Sequence, residues 1–381
     1  MADAEAGVAA VAEAVEIKPM PIPYHFQVQW HITERCNLRC GHCYQNSFER
    51  ADPSLDVLRS ILQQIVEAVD IFSRERQRKI PARITLTGGE PFLHSDFFEL
   101  LDAVSKLRRF RWAILTNGTL IDRQMALRLK RYKPDYVQVS LDGTKQMHET
   151  LRGQGSFEPA VEGIRQLVRA GIRTIISFTA SRLNVADFPA VAQLGAELGV
   201  QRVWADRLIP NSIEQQGLSL SPEETRAFFE TMRELRQSFR ESLWGRLLRR
   251  ASRMFLGTHV GTHGCTEVAM NRALQFLIGG GEMYRCPAGR SLVAVLPDGT
   301  LVPCRRLPIP VGNLQGTPLI ELYRSSELFR RLRNPCLPES SRCSSCPFSE
   351  GCNGGLRCLA HSLTGSPFSG DPGCWLEQWQ K

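Results

Sequence analysis

Cys36, Cys40 and Cys43 stand in the string TERCNLRCGHCYQ at C-x3-C-x2-C spacing. That spacing puts three thiolates on one tight loop, whereas an iron–sulfur cubane takes four ligands, so one iron is left open to a small molecule. Zinc is the competing reading, although zinc motifs favour C-x2-C pairs and a closed site needs a fourth ligand. Further on, RITLTGGEPFLH (Arg83 to His94) is a short β-rich run followed by Gly88, Gly89, Glu90 and Pro91. Two glycines after a strand let backbone approach a ligand without interference from a Cβ. A carboxylate beside them can hold an ammonium group.

For the two segments to meet, each must leave the same end of a sheet. Apolar strand-like runs recur at Phe26–Ile32, Arg83–Thr87, Trp112–Leu115, Tyr136–Leu141, Thr174–Phe178 and Arg202–Trp204, with helical patterns between them. Asp52 and Pro53 read as cap and first residue of the first helix, whose buried stripe is Leu58, Ile61, Leu62, Ile65, Val66 and Val69. Later helices stop at Gly171 and Gly199, and Ser221, Pro222 and Glu224 open another with capping-box spacing. Six β-α repeats predict a parallel sheet with helices outside it. Active sites of such folds lie at the carboxyl ends of the strands, where both motifs fall. Asn117 sits in the TNG turn after the third strand. Ser140 and Asp142, two apart at the end of the fourth, are expected on one face. Asp206, after the sixth, is either an acid–base group or an exposed loop carboxylate.

Composition changes from Cys286 onward: eight of the twelve cysteines lie in the last 96 residues. Cys286 and Cys304 (closing PDGTLVPC) are followed by Cys343, Cys346, Cys352, Cys358 and Cys374. That region is too rich in Cys, Pro and Gly for an ordinary apolar core, and bound metal would supply the missing stability. A zinc ribbon is the alternative for the pairs.

Hydrophobic content of 43% and charged content of 23% are ordinary for a soluble globular chain. No run of 18 or more apolar residues is present, so no membrane span or membrane partner is expected. Residues 1–16 are Ala-rich and acidic, unlike a signal peptide. The expected address is cytoplasmic, where twelve cysteines read as metal or cluster ligands. Much of the net charge of +8 falls between Arg236 and Arg253. That stretch reads as a helix with a solvated basic face or a dock for an acidic peptide, and no nucleic-acid motif accompanies it. The expected divisions are a flexible tail at 1–24, a barrel at 25–210, a helical bridge at 211–264 and a Cys-rich domain at 265–381.

Together the motifs resemble the radical S-adenosylmethionine (SAM) enzymes, and the C-terminal cysteines resemble the SPASM extension of that superfamily. The resemblance implies an α/β fold: a partial (β/α)6 TIM-like barrel followed by a small Cys-rich iron–sulfur SPASM domain. It makes Cys36, Cys40 and Cys43 the ligands of a [4Fe–4S] cluster whose open iron is chelated by SAM. It assigns Gly88, Gly89, Glu90 and Pro91 to the SAM amino group, Ser140 and Asp142 to the ribose, and Arg152 to the carboxylate. Asn117 becomes a further SAM-site residue, and His42 packs or stacks beside the adenine. Two auxiliary [4Fe–4S] clusters are implied, one held by Cys343, Cys346, Cys352 and Cys374 and the other by Cys286, Cys304 and Cys358. The family pattern carries Cys where this chain has Leu356, and Cys358 is assigned the missing role. The fourth ligand of the second set is Cys265, with Cys336 or an open site as alternatives. The resemblance further implies cleavage of SAM to a 5′-deoxyadenosyl radical, an electron donor such as flavodoxin or ferredoxin, and most often oxidative modification of a ribosomally made peptide. Modification of a haem precursor or other small molecule, or formylglycine formation, are the alternatives. A non-enzymatic nucleic-acid-binding cluster protein leaves GGEP and the six repeats unexplained, so no nucleic-acid partner is expected. No residue beyond Asp206 is offered as a catalytic acid or base.

Overall fold

The computed structural model describes residues 22–45, 47–241, 266–279, 281–334 and 343–376. Cys265, Cys336 and most of the basic stretch expected to form a helix lie outside these residues. Six parallel strands pair in chain order: β1 (Phe26–His31), β2 (Ala82–Thr87), β3 (Phe110–Thr116), β4 (Tyr136–Ser140), β5 (Thr174–Ala180) and β6 (Arg202–Arg207). Helices α1 (Leu55–Glu75), α2 (Phe97–Lys106), α3 (Arg123–Tyr132), α4 (Lys145–Arg152), α5 (Phe157–Arg169) and α6 (Phe188–Leu198) fill the crossovers. Strand alternation sorts the two faces of the sheet. Val28, Trp30, Ile84, Leu86, Val137, Val139, Val203 and Ala205 pack in one core with the helix residues Leu58, Ile65, Leu100, Ile164 and Val191. Their neighbours Gln29, Thr85, Gln138, Ser140, Trp204 and Asp206 line cavities on the opposite face. The polar concave face is thus free to serve a site.

The sheet does not end with the six repeats. Strand β7 (Glu267–Ala269) adds in parallel to β6, and β8 (Leu292–Val295) adds in parallel to β1. Strands β9 (Thr300–Val302) and β10 (Gly312–Asn313) continue antiparallel from β8. The result is one ten-stranded sheet in the order β10-β9-β8-β1-β2-β3-β4-β5-β6-β7. The region carrying Cys286 and Cys304 is therefore hydrogen-bonded onto the first barrel strand.

Two local readings are corrected. The cap of α1 is Ser54, whose hydroxyl accepts from Val57 N, and the helix proper starts at Leu55. Asp52 is unavailable as a cap because its carboxylate takes the Thr33 hydroxyl and pairs with Arg35. Strand β6 runs to Arg207, so Asp206 sits within it and is buried, not on an exposed loop. The capping box is present where expected, ahead of the helix Pro222–Glu241: Ser221 N donates to Glu224 Oε2 at 2.7 Å and Glu224 N to Ser221 Oγ at 3.2 Å. Among the described residues no helix is long and apolar enough to cross a membrane.

Candidate functional site

The loop after β1 is stitched to the loop after β2. Ile32 N donates to the Thr87 carbonyl (3.0 Å), Gly89 N to Thr33 (2.9 Å) and Glu90 N to Arg35 (2.8 Å). This approach requires glycine: a Cβ on Gly88 would lie 2.4 Å from the Thr33 oxygen, and one on Gly89 2.3 Å from the Arg35 oxygen. The cysteine loop is also tied from outside. Gly41 N donates to the Leu151 carbonyl, Gln215 Nε2 to the Gly41 carbonyl and Asn211 Nδ2 to the Cys43 carbonyl, at 2.8–2.9 Å. Cys36, Cys40 and Cys43 are free thiols that line one open cavity with Gly88, Gly89, Asn117, Ser140, Arg152 and His42. Each sulfur meets a donor: Leu38 N at 3.5 Å and Asn117 Nδ2 at 3.9 Å for Cys36, Arg152 Nη1 at 3.8 Å for Cys40, and Gln45 N at 3.4 Å for Cys43. Such donors favour thiolates, the form that binds metal. Without metal, burial pushes the Cys40 thiol up to about 11, so metal binding there must release a proton.

The carboxylates of the sequence motifs stand behind this cavity wall. Glu90 is fully buried. Thr116 Oγ1 donates to both its oxygens at 2.9 Å and Asn117 N donates at 2.8 Å, and burial raises its pKa to about 7. It pins the start of the Asn117 turn, while the backbone of Gly88 and Gly89 faces the cavity. Pro91 is buried as the first residue of a short 3-10 turn. Ser140 lines the cavity, but Asp142 does not. The expected common face fails because β4 ends at Ser140; alternation carries Gln138 and Ser140 inward and stops there. Asp142 instead receives Arg152 Nε (2.5 Å), His42 Nε2 (3.0 Å) and Thr179 N (2.7 Å). Burial opposes its ionisation, yet Arg152 and His42 hold the carboxyl well below the usual range. The guanidinium expected to receive a ligand carboxylate is thus already engaged through Nε.

A second cavity adjoins the first. Leu115, Gln138, Trp204, Asp206, Arg305 and Arg306 line both. Cys286, Cys304 and Cys358 line the second, where burial pushes Cys358 up to about 12. Asp206 Oδ2 receives Arg306 at 2.8 Å and lies 3.8 Å from Arg272 Nε. Cys343, Cys346, Cys352 and Cys374 line a third, smaller cavity with Asp371. Asp371 pairs with Arg207 at 2.8 and 2.6 Å, both side chains being buried, and Arg207 reaches the first cavity. Of the C-terminal thiols in the two sets, Cys286, Cys304, Cys346, Cys352 and Cys358 are free. Sequence reasoning passed over Arg207, Arg305, Arg306 and Asp371. The signal available was the doubled charge directly after Cys304 in PCRRLP and the acid in GDPGC.

Comparison with known proteins agrees with this arrangement. The sequence profile of the radical SAM superfamily matches residues 30–194, and that of the SPASM iron-sulfur cluster-binding domain matches residues 286–347. The chain is 28% identical to the Fe-coproporphyrin III synthase of Methanosarcina barkeri over 92% of its own length and 87% of the relative's. It is 29% identical to mycofactocin maturase MftC of Mycobacterium tuberculosis, over 91% and 81%. Its fold matches that of native anSMEcpe, solved with AdoMet and a Cp18Cys peptide, at a TM-score of 0.67 and 19% identity, over 92% and 93% of the two chains. Radical SAM domains hold a [4Fe–4S] cluster and SAM, and SPASM domains bind iron–sulfur clusters. Three donor-facing thiols lining one cavity, and two further thiol sets lining two others, suit such groups. The chain joins a radical SAM domain to a SPASM iron–sulfur domain, and it is a radical SAM enzyme.

Proposed function

We propose that this enzyme oxidatively modifies a carboxylate-bearing substrate of the haem-precursor class. The observation that carries the reading is the charge of the second cavity, which Cys286, Cys304 and Cys358 line. It is lined by six arginines (Arg83, Arg173, Arg202, Arg272, Arg305 and Arg306) against two aspartates, Asp135 and Asp206, with Arg202 further paired to Glu267, so the arginines still outnumber their carboxylates two to one. A guanidinium fork matches a carboxylate in geometry and charge, and a coproporphyrin presents several propionates on one flat ring. The likeness to Fe-coproporphyrin III synthase supports this choice.

In this reading Cys36, Cys40 and Cys43 would hold the SAM-binding cluster, and Gly88 and Gly89 would line the SAM site. Asn117 and Ser140 line the same cavity, while Asp142 fixes Arg152 and His42 in place. When bound, the cluster and SAM supply a 5′-deoxyadenosyl radical able to take hydrogen from carbon. Cys343, Cys346, Cys352 and Cys374, and separately Cys286, Cys304 and Cys358, would hold auxiliary clusters, which would supply a sink for the electron lost on oxidation. The apolar residues Phe178, Trp204, Leu208 and Ile209 on the first cavity's wall exclude water from that chemistry. Asp206, clamped by Arg306, keeps the two cavities in register rather than serving as a free base. The reductant is a small electron carrier such as flavodoxin or ferredoxin, in keeping with a cytoplasmic setting.

A peptide substrate is the second reading, favoured by the comparable likeness to mycofactocin maturase. The two are tested together. Anaerobic, cluster-loaded enzyme is given SAM, reductant, and either an iron tetrapyrrole (Fe-coproporphyrin III or a more highly carboxylated precursor of it) or peptides encoded beside its gene. The proposal expects 5′-deoxyadenosine in step with a loss of mass from the tetrapyrrole. A lighter peptide with an unchanged tetrapyrrole would give the second reading its place, and neither change would refute both.

A further inference from the structure

Four arginines line the cavity that holds Cys36, Cys40 and Cys43: Arg152, Arg207, Arg305 and Arg306. Three are clamped by an aspartate each, Arg152 by Asp142, Arg207 by Asp371 and Arg306 by Asp206. Arg305 has no carboxylate partner among the described residues. Its Nε is buried without a hydrogen-bond partner, its Nη1 reaches only the Tyr44 hydroxyl at 3.4 Å, and its guanidinium lies 5.3 Å from the Tyr44 ring centroid.

Arg305 and Arg306 are the two central residues of a tight turn, closed by Leu307 N donating to the Cys304 carbonyl at 2.9 Å. Gln29 of β1 holds that turn, its Oε1 accepting from Arg305 N at 3.2 Å and from the Cys304 thiol at 3.5 Å. The backbone is therefore fixed, and both guanidiniums reach the boundary shared by the two cavities. One is neutralised and the other is not. A fixed, unneutralised cation in a partly desolvated chamber lowers the ordering cost of capturing an anion, and its planar fork selects a carboxylate.

We propose that Arg305 is the substrate-anchoring residue, which receives one propionate carboxylate of the tetrapyrrole and so sets which part of the ring faces the three-cysteine site. Arg306, held by Asp206, is the strut that keeps the turn aimed. The assignment rests on the haem-precursor reading above and is tested so that the two can fail separately.

The cluster-loaded enzyme is treated anaerobically with phenylglyoxal, which modifies unpaired guanidiniums, and labelling is mapped by peptide mass spectrometry. Arg305 is expected to react faster than Arg306, and Fe-coproporphyrin III to slow it while its tetramethyl ester does not. By absorbance titration, Arg305→Gln should bind Fe-coproporphyrin III about 10- to 100-fold more weakly than the wild type, the loss expected for one charge-assisted hydrogen-bonded contact. Arg305→Lys should fall between them, since it keeps the charge without the fork. Protection by an Asp- and Glu-rich peptide but not by the tetrapyrrole would leave Arg305 the anchor and overturn the haem-precursor reading. Protection by SAM alone would assign the residue to the cofactor and overturn the proposal. So would equal labelling of Arg305 and Arg306, or labelling that no added carboxylate slows.

Discussion

Asparagine at position 371 should loosen the joint between the barrel and the cysteine-rich region. Arg207 and Asp371 are exposed by only 2% and 1%, and Asp371 also accepts from Leu356 N and Gly373 N at 2.9 and 3.0 Å. Removing one charge from such a pair strands the other in a low-dielectric interior, at a cost of about 3–5 kcal/mol. The amide oxygen of asparagine keeps an acceptor for one of the backbone N–H groups, so the charge dominates the effect. At about 2.1 cal/mol/K of unfolding entropy per residue, 381 residues give about 800 cal/mol/K, which converts the loss to roughly 4–6 °C. The assay is anaerobic calorimetry on the cluster-loaded chain at one scan rate, with iron content measured in parallel. Arg207→Gln combined with Asp371→Asn removes the stranded charge and should recover more than half of the loss. A midpoint within a degree of wild type for Asp371→Asn, or a double variant no better than the single, would refute the reasoning.

Two further substitutions follow from the same geometry. Gly89→Ala would place a Cβ 2.3 Å from the Arg35 carbonyl and 2.6 Å from that of Glu34, so it should lose the iron bound at the three-cysteine loop while circular dichroism stays near wild type; full iron retention would contradict it. Glu90 is raised by burial from an ordinary value of 4.5 to about 7, so its contribution is present below pH 4.5 and lost as pH rises through 7. That shift is worth roughly 3 kcal/mol, discharged between those limits. In the cluster-free chain Glu90→Gln should therefore gain stability relative to wild type as pH rises from 5 to 8, and parallel melting curves would count against this.

The strands and crossovers were legible because each carries its own apolar period; Leu58 through Val69 and Val161 through Leu167 announce their helices without help. The cysteines were legible because a ligand set on one loop fixes its own spacing. The cap of α1 was not, because Asp52 is claimed by Thr33 and Arg35, which precede it on a different element. The face of Asp142 was not, because alternation holds only while the strand lasts. The arginines escaped for a related reason. Arg207 finds Asp371 across 164 residues and Arg306 finds Asp206 across 100, and no local pattern distinguishes a clamped arginine from a free one. That β8 would extend the sheet beside β1 was hidden likewise, since LVAV reads equally well as any short buried run.

The central claim is that three separate thiol sets of one chain serve three clusters, and iron and sulfide content tests it most directly. The anaerobically reconstituted chain should carry about 12 iron and 12 sulfide. Replacing Cys36, Cys40 and Cys43 with alanine should lower this to about 8 of each, as should replacing Cys286, Cys304 and Cys358 in a second variant. About 4 iron accompanied by zinc in the wild type would contradict the account, leaving the C-terminal thiols a structural zinc module with no part in the chemistry.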